Sequence, residues 1–592
     1  MRANKILRVL LIFMLVTVGV WLLGRPGQLQ PEGPERLEAL SVLSQSGNGQ
    51  DAGQDDIVTE QLRRHEPVTP VTVDFSDVVV DTEDADSMHR RWLRGEIDAD
   101  ENDGLVSEAE MARMVAAAQA QPPTEHMQDA EDTLPAQTGP LGSGLRPGVA
   151  FDAISFTQSG GYVPPDPELA VGRQHIVAVA NVSVAIYDKR GATLFGPTLA
   201  TNLFSQPICR SRLYDPNVVY DEEADRWIVA FDKGAVTVDG GYCLLASQSG
   251  DPTGNWYEYF FPFNDGSAWM DFPHAGAGDT HIYMGANMFD YNGPSYGFVE
   301  GRIFAFDKAD LYAGAGVAAI ERGLGSSAST PQPIHLHGYQ NGTWPNHGNS
   351  HYFLTDPFNG DTYPLRRWNP VNNSLTLVGT VTLGPSNQVV NVPQNGTRSL
   401  RANDWRPLDF EYRNGYGWTT MTVSCNPGSG AVNCIRWAQI NLNNGALGPA
   451  GTGTYGSNGQ YRFFPDLAAN YCDDMAIGYT RSSSNSFPSI WVTGRQSSAP
   501  GGIVQPELQL KAGEIAYTDF SNAPVLRWGD YTGMTIDPFG KTFWYFGQYS
   551  KNTGTSAGRW GTYVGSFQFP GCNPPLPFLQ EVSYLPAFGK GG

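Results

Sequence analysis

From Val149 onward, short apolar and aromatic runs alternate with clusters of Gly, Pro, Asp and Asn. Each run is of strand length, and the clusters are turn residues. "LYDPNVVYDEEADRWIVAF" (213–231) shows the pattern: an acid beside Pro, an apolar run, an acidic turn, then a second run with Trp and Phe. The same order of parts recurs in "PPDPELAVG" (164–172), "WMDFPHAGAGDTHIYMGANMF" (269–289), "RFFPDLAANYCDDMAIGYT" (462–480) and "RWGDYTGMTIDPFGKTFWYFGQYS" (527–550). "NDWRPLDFEYRNGYGWTTMTV" (403–423) is a looser copy carrying Asp404 and Asp409. These stretches predict antiparallel hairpins at a regular interval along the chain.

The interval is set by the leading acids. Asp166 to Asp215 is 49 residues, Asp215 to Asp271 is 56, and Asp466 to Asp530 is 64. Asp271 to Asp404 is 133, about two units, which places a copy lacking the acid near "QPIHLHG" (332–338). Seven units result. A four-stranded sheet cannot bury both faces alone, and ranking such sheets around an axis solves the problem. The sequence therefore predicts an all-β, seven-bladed β-propeller over 149–575. "SQSGDPTGNWYEYFF" (247–261) carries Ser249, Asp251, Gly254 and Trp256 in the order of an Asp-box turn with one extra residue, a structural hairpin device.

Before the repeats the texture differs. Residues 25–148 are rich in Asp, Glu, Gln, Ala and Pro, and too poor in apolar side chains to offset the entropy of ordering. They predict an acidic, mostly disordered stalk. Its exception is 86–119, where helix-like flanks enclose an acidic loop, a short helix-loop-helix that resembles an EF-hand. Asp98, Asp100, Asn102, Leu105 (through its carbonyl), Ser107 and Glu110 would ligate Ca²⁺. Gly104 falls one place late in that comparison. The plainer reading is a solvated acidic turn.

Residues 1–24 have a basic start (Arg2, Lys5, Arg8) and an uncharged apolar run, a signal peptide or signal anchor, with 6–24 as a possible membrane tether. Either way the remainder leaves the cytoplasm, to the periplasm or beyond. Six cysteines without a CxxC pair fit disulfides in that compartment. Cys425 and Cys434 flank a hairpin-like turn and are paired first; Cys209–Cys243 and Cys472–Cys572 follow. Residues 576–592 form a C-terminal tail.

Composition sharpens this picture. Of 592 residues, 68 are Gly and 42 Pro, 12% are aromatic and only 17% charged, which suits strands and turns rather than long helices. A formal net charge of −22 disfavours nucleic acid as a partner.

The repeat motifs, with "RSSSNSFPSIWVTGR" (481–495) and "WGTYVGSFQFPGC" (560–572), together resemble uncharacterised bacterial exported proteins bearing a sialidase-like or related β-propeller. The resemblance spans about Gly148 to Cys572. It implies the propeller fold and supplies no catalytic residues.

If the repeated acids open the innermost strands, Asp166, Asp215, Asp271, Asp466 and Asp530, with His274, converge on one funnel. Such a ring would hold a cation or a polar glycan; alternatively each acid accepts backbone N–H groups in a tight turn. Arg212, Arg401, Arg462 and Arg527 precede these strands and would balance the charge. His335, His337, His347 and His351 lie within 17 residues and are expected on surface loops. Nothing reads as a nucleophile elbow, a P-loop, a Rossmann turn or HExxH: the strings at 293–297 and 554–558 (GxSxG) and at 451–456 (GxGxxG) lack the strand-to-helix setting those motifs need. The expected function is binding of a glycan or an envelope or extracellular protein. The alternatives are a glycoside hydrolase or polysaccharide lyase, and a structural module.

Overall fold

The computed structural model describes residues 62–81, 113, 116–120, 122–124, 127–130 and 144–575, apart from 235–238, 264–265, 267, 291–296, 357–359, 385–388, 397, 403–404, 520 and 522. The N-terminal segment 1–24, the loop from Asp98 to Glu110 and the tail 576–592 lie outside the described residues. Among the described residues no helix is long and apolar enough to cross a membrane.

The chain forms a seven-bladed β-propeller. Blade one comprises Glu168–Val171, His175–Ala180, Ser183–Asp188 and Thr193–Leu199. Blades two to six begin with the innermost strands Leu213–Asp221, Ala268–Ala277, Ser329–Pro333, Asp409–Arg413 and Tyr461–Ala469. The unit expected near 332–338 is thus blade four. Blade seven takes Gly533–Ile536, Phe543–Lys551 and Arg559–Gln568 from the end of the repeats, and its outermost strand, Arg146–Ser155, from their beginning. Bulky rings fill the seams: Trp227, Trp256, Trp368, Trp418, Trp437, Trp528 and Trp560 are fully buried.

Parts of the segment read as a stalk are edge strands. Val71–Asp74 pairs with blade two, Arg63–Arg64 with blade three, and Gln128–Asp129 runs parallel to the last strand of blade five. Phe75 is buried between Phe195 and Trp256. Runs this short have no legible periodicity.

All three expected disulfides are present: Cys209–Cys243, Cys425–Cys434 and Cys472–Cys572. The turn of Ser249 and Asp251 is a local cap: Asp251 accepts from the Thr253 N–H and hydroxyl, and Trp256 Nε1 donates to the Pro252 carbonyl.

One irregularity repeats in the innermost strands. Asp166, Asp215, Phe272, Thr330 and Phe464 all have left-handed backbone, with φ between 39° and 56°, and each precedes a proline. Three of these frame a register shift in blades three, four and six. A bulge frees a backbone N–H from the ladder, and a buried N–H must find another acceptor. The preceding blade supplies it. Phe272 N–H donates to Asp215 of blade two, Thr330 N–H to Asn287 of blade three, and Phe464 N–H to Thr422 of blade five. Blade seven uses variants: Asp530 N–H donates to Asp166 of blade one, and Met534 N–H to Asp466 of blade six. These are clasps between neighbouring blades.

A direct test follows. Asp166→Ala leaves the Asp530 N–H and the Asn181 amide (2.9 Å from Asp166 Oδ2) without acceptors. The expected loss is about 2–4 kcal/mol in urea-induced unfolding, because each buried donor left unpaired costs about 1–3 kcal/mol. A change within experimental error would remove the clasp interpretation.

Candidate functional site

The innermost strands surround a polar cavity on the propeller axis, lined among others by Glu168, Glu222, His274, His335, His337, Asp409, Glu411 and Asp466. Its volume is about 50 Å³, room for a few waters and not for a sugar ring. Call the side where the innermost strands begin the top. There Tyr531 of blade seven reaches the Pro216 carbonyl of blade two at 3.4 Å and packs edge-on against Phe272 and His274. Arg406 lies over the Phe272 ring at 3.8 Å. At the bottom, the loop 338–344 of blade four crosses the axis. Glu222 of blade two accepts its Gly338 and Tyr339 N–H groups, Tyr412 of blade five donates to its Thr343 carbonyl, and Asn341 abuts Gly540 of blade seven. The linkers between blades four and five and between six and seven also join. Ser399–Arg401 pairs in parallel with Val525–Arg527, and Gln394 exchanges hydrogen bonds with the Tyr517 backbone.

Within the cavity His337 is clamped between two carboxylates. Its Nδ1 lies 3.1 Å from Glu222 Oε1 and its Nε2 forms an ion pair with Glu411. Burial alone would lower its pKa. The charge of Glu411 and the hydrogen bonds to both carboxylates outweigh that, and the pKa rises to about 9. His337 is therefore an imidazolium near neutral pH. The expectation of surface histidines fails here, because the innermost strand of blade four continues through "IHLHG" toward the axis. His351 is buried too, stacked on Tyr283 at 3.9 Å. His335 accepts the Ala277 N–H through Nδ1, and burial followed by the neighbouring His337 keeps it neutral.

Glu168, Asp409 and Asp466 are also gathered in the cavity. Burial first, then mutual repulsion among these carboxyls and Glu411, lifts all three well above the usual carboxylate range. Asp409 and Asp466 lie close enough to act on each other's ionisation.

The residues the sequence singled out divide into three groups. Asp166, Asp466 and Asp530 are buried and engaged: the first two in clasps, and Asp530 in an ion pair at 2.5 Å with Arg527. Arg462 serves elsewhere, bonding Glu507 through Nε and Nη2, and Arg212 is exposed. His274 is buried against Tyr531. Burial, then Arg406, lowers its pKa to about 3, which leaves it a very weak base. Asp215 and Asp271 form the third group. Both are part-exposed, and with the buried Asp232 they bring carboxylate oxygens within 4.8 Å of one another. Burial, then the charge of Asp530, raises Asp215 to about 6. Asp232 sits on the second strand of blade two, paired with Tyr214. No signal in its own neighbourhood, "IVAFDKG", marks it out; only the ladder brings it to Asp215.

No protein-family profile and no curated protein sequence matches the chain. Among solved structures, it is similar to the Trypanosoma rangeli sialidase in complex with the inhibitor DANA, at 7% identity and TM-score 0.31, over 68% of this chain and 59% of that one. It is similar also to the native Bacillus subtilis arabinanase Arb43A, at 11% identity and TM-score 0.27, over 60% of this chain and 94% of that one. A thermostable family-43 glycoside hydrolase aligns at 10% identity and TM-score 0.26, over 62% and 96%.

Proposed function

We propose that this chain is an exported β-propeller that binds a glycan or an envelope or extracellular protein at its top face. The observation that carries the reading is the division of the ring of acids. Asp166, Asp466 and Asp530 are committed inside the fold, whereas Asp215 and Asp271 keep part of their surface open. Three disulfides support an oxidising compartment, periplasmic or extracellular. In this reading residues 1–24 direct export, with 6–24 as tether where they are retained, and the stalk loop from Asp98 to Glu110 binds Ca²⁺.

A carbohydrate-active enzyme is the second reading, favoured by one feature: Asp215, raised to about 6, hydrogen-bonds with Asp271. A carboxyl whose pKa is lifted toward neutrality beside a second carboxyl is what a glycosidase acid needs. Glycan-array binding without turnover, weakened by Asp271→Asn, is the expected result. Release of reducing ends or unsaturated sugars, lost in a folded Asp271→Asn variant, would replace the binding reading with the enzymatic one. Neither binding nor turnover would leave a structural module.

A further inference from the structure

We infer that Asp215, Asp232 and Asp271 form a calcium site at the seam between blades two and three. The three carboxylates come from the innermost and second strands of blade two and the innermost strand of blade three. Their nearest oxygens all lie within 4.8 Å of one another. Oxygens bound to one Ca²⁺ at about 2.4 Å stand no more than about 4.8 Å apart, so one ion can touch all three.

A second observation points to a ligand. Asp232 is 1% exposed. Its Oδ1 accepts the Lys233 N–H, while its Oδ2 is buried without a hydrogen-bond partner. Tyr242, also 1% exposed, stands directly opposite Asp232 across the ladder, and its buried hydroxyl likewise lacks a partner. A buried, unsatisfied carboxylate oxygen in a group with two further carboxylates, opposite an unsatisfied phenol, is costly unless a cation or its bound water partners it. Arg527, whose charge acts on Asp215, is paired with Asp530.

The donors decide the metal. Three carboxylates without His or Cys are hard ligands, which suit Ca²⁺ over Zn²⁺ or Cu²⁺. The part-exposed Asp215 and Asp271 leave solvent to complete the six to eight oxygens Ca²⁺ takes. Asp215 also accepts the Phe272 N–H of blade three at 3.1 Å, so the ion would brace a clasp that already joins the two blades. The site does not depend on the choice between a binding and a hydrolytic propeller, because the metal alone is its probe.

The test uses the full chain with Asp98→Ala and Glu110→Ala, which silence the stalk loop. Calorimetric titration with CaCl₂ is expected to show one equivalent bound, and the thermal midpoint to rise by about 2 °C or more between EDTA and saturating calcium. Asp232→Asn and Asp271→Asn are each expected to weaken binding by about tenfold or more. Asp232→Asn should also raise the midpoint in EDTA, since it removes one of three mutually repelling carboxyls. Absence of heat together with an unchanged midpoint would overturn the site. So would undiminished affinity in folded Asp232→Asn and Asp271→Asn proteins. Neither result bears on glycan binding, which the array reads separately.

Discussion

Replacing Cys472 and Cys572 together by alanine is expected to lower the unfolding free energy by about 3–5 kcal/mol. The bridge joins the turn after the innermost strand of blade six to the residue that follows blade seven. It closes a loop of sequence separation 100, against 34 and 9 for the other two bridges. In the chain-entropy account, longer loops restrict the unfolded state more. This bridge is therefore the one whose loss matters most. It also fastens the blade at which the ring closes. Guanidinium unfolding of the double variant, with peptide mapping to confirm the remaining bridges, reads the effect. A loss below about 1 kcal/mol would mean that strand pairing closes the ring unaided.

His337→Ala is expected to cost about 3–5 kcal/mol at neutral pH, because it strands Glu222 and Glu411 in the cavity without their cation. The pH dependence has a definite sign. The folded pKa of about 9 lies above the ordinary histidine value of about 6.5. The clamp therefore contributes fully below pH about 6.5 and fades as the pH rises through about 9. The wild-type protein should lose stability across that window. The alanine variant should be less stable below it and nearly flat within it. Urea titrations along the window separate the two, and parallel curves would show that His337 is neutral in the folded protein.

The period of the repeat was legible because turn chemistry and aromatic strands recur with each blade. The alignment within it was less so. The aspartates occupy different places on the bulge: Asp215 is the left-handed residue, Asp271 precedes Phe272, and Asp466 follows Phe464 by two. Proline marks the position more faithfully, at Pro167, Pro216, Pro273, Pro331 and Pro465, but blade seven has "GDYTG" there. The His337 clamp could not be read from "IHLHG", since its partners come from blades two and five. Nor could Asp232, which reaches the candidate site through strand register alone. The Cys425–Cys434 pairing was readable because the two lie on the paired strands of one hairpin.

The borrowed outer strand of blade seven has a consequence for biogenesis. Arg146–Ser155 is made before the other repeats, yet its partner Arg559–Gln568 is among the last segments to emerge. Throughout synthesis an unpaired edge waits for its complement. A truncation anywhere upstream of Arg559 would thus yield not a smaller ring but an open one, with a sticky margin ready to pair with another copy.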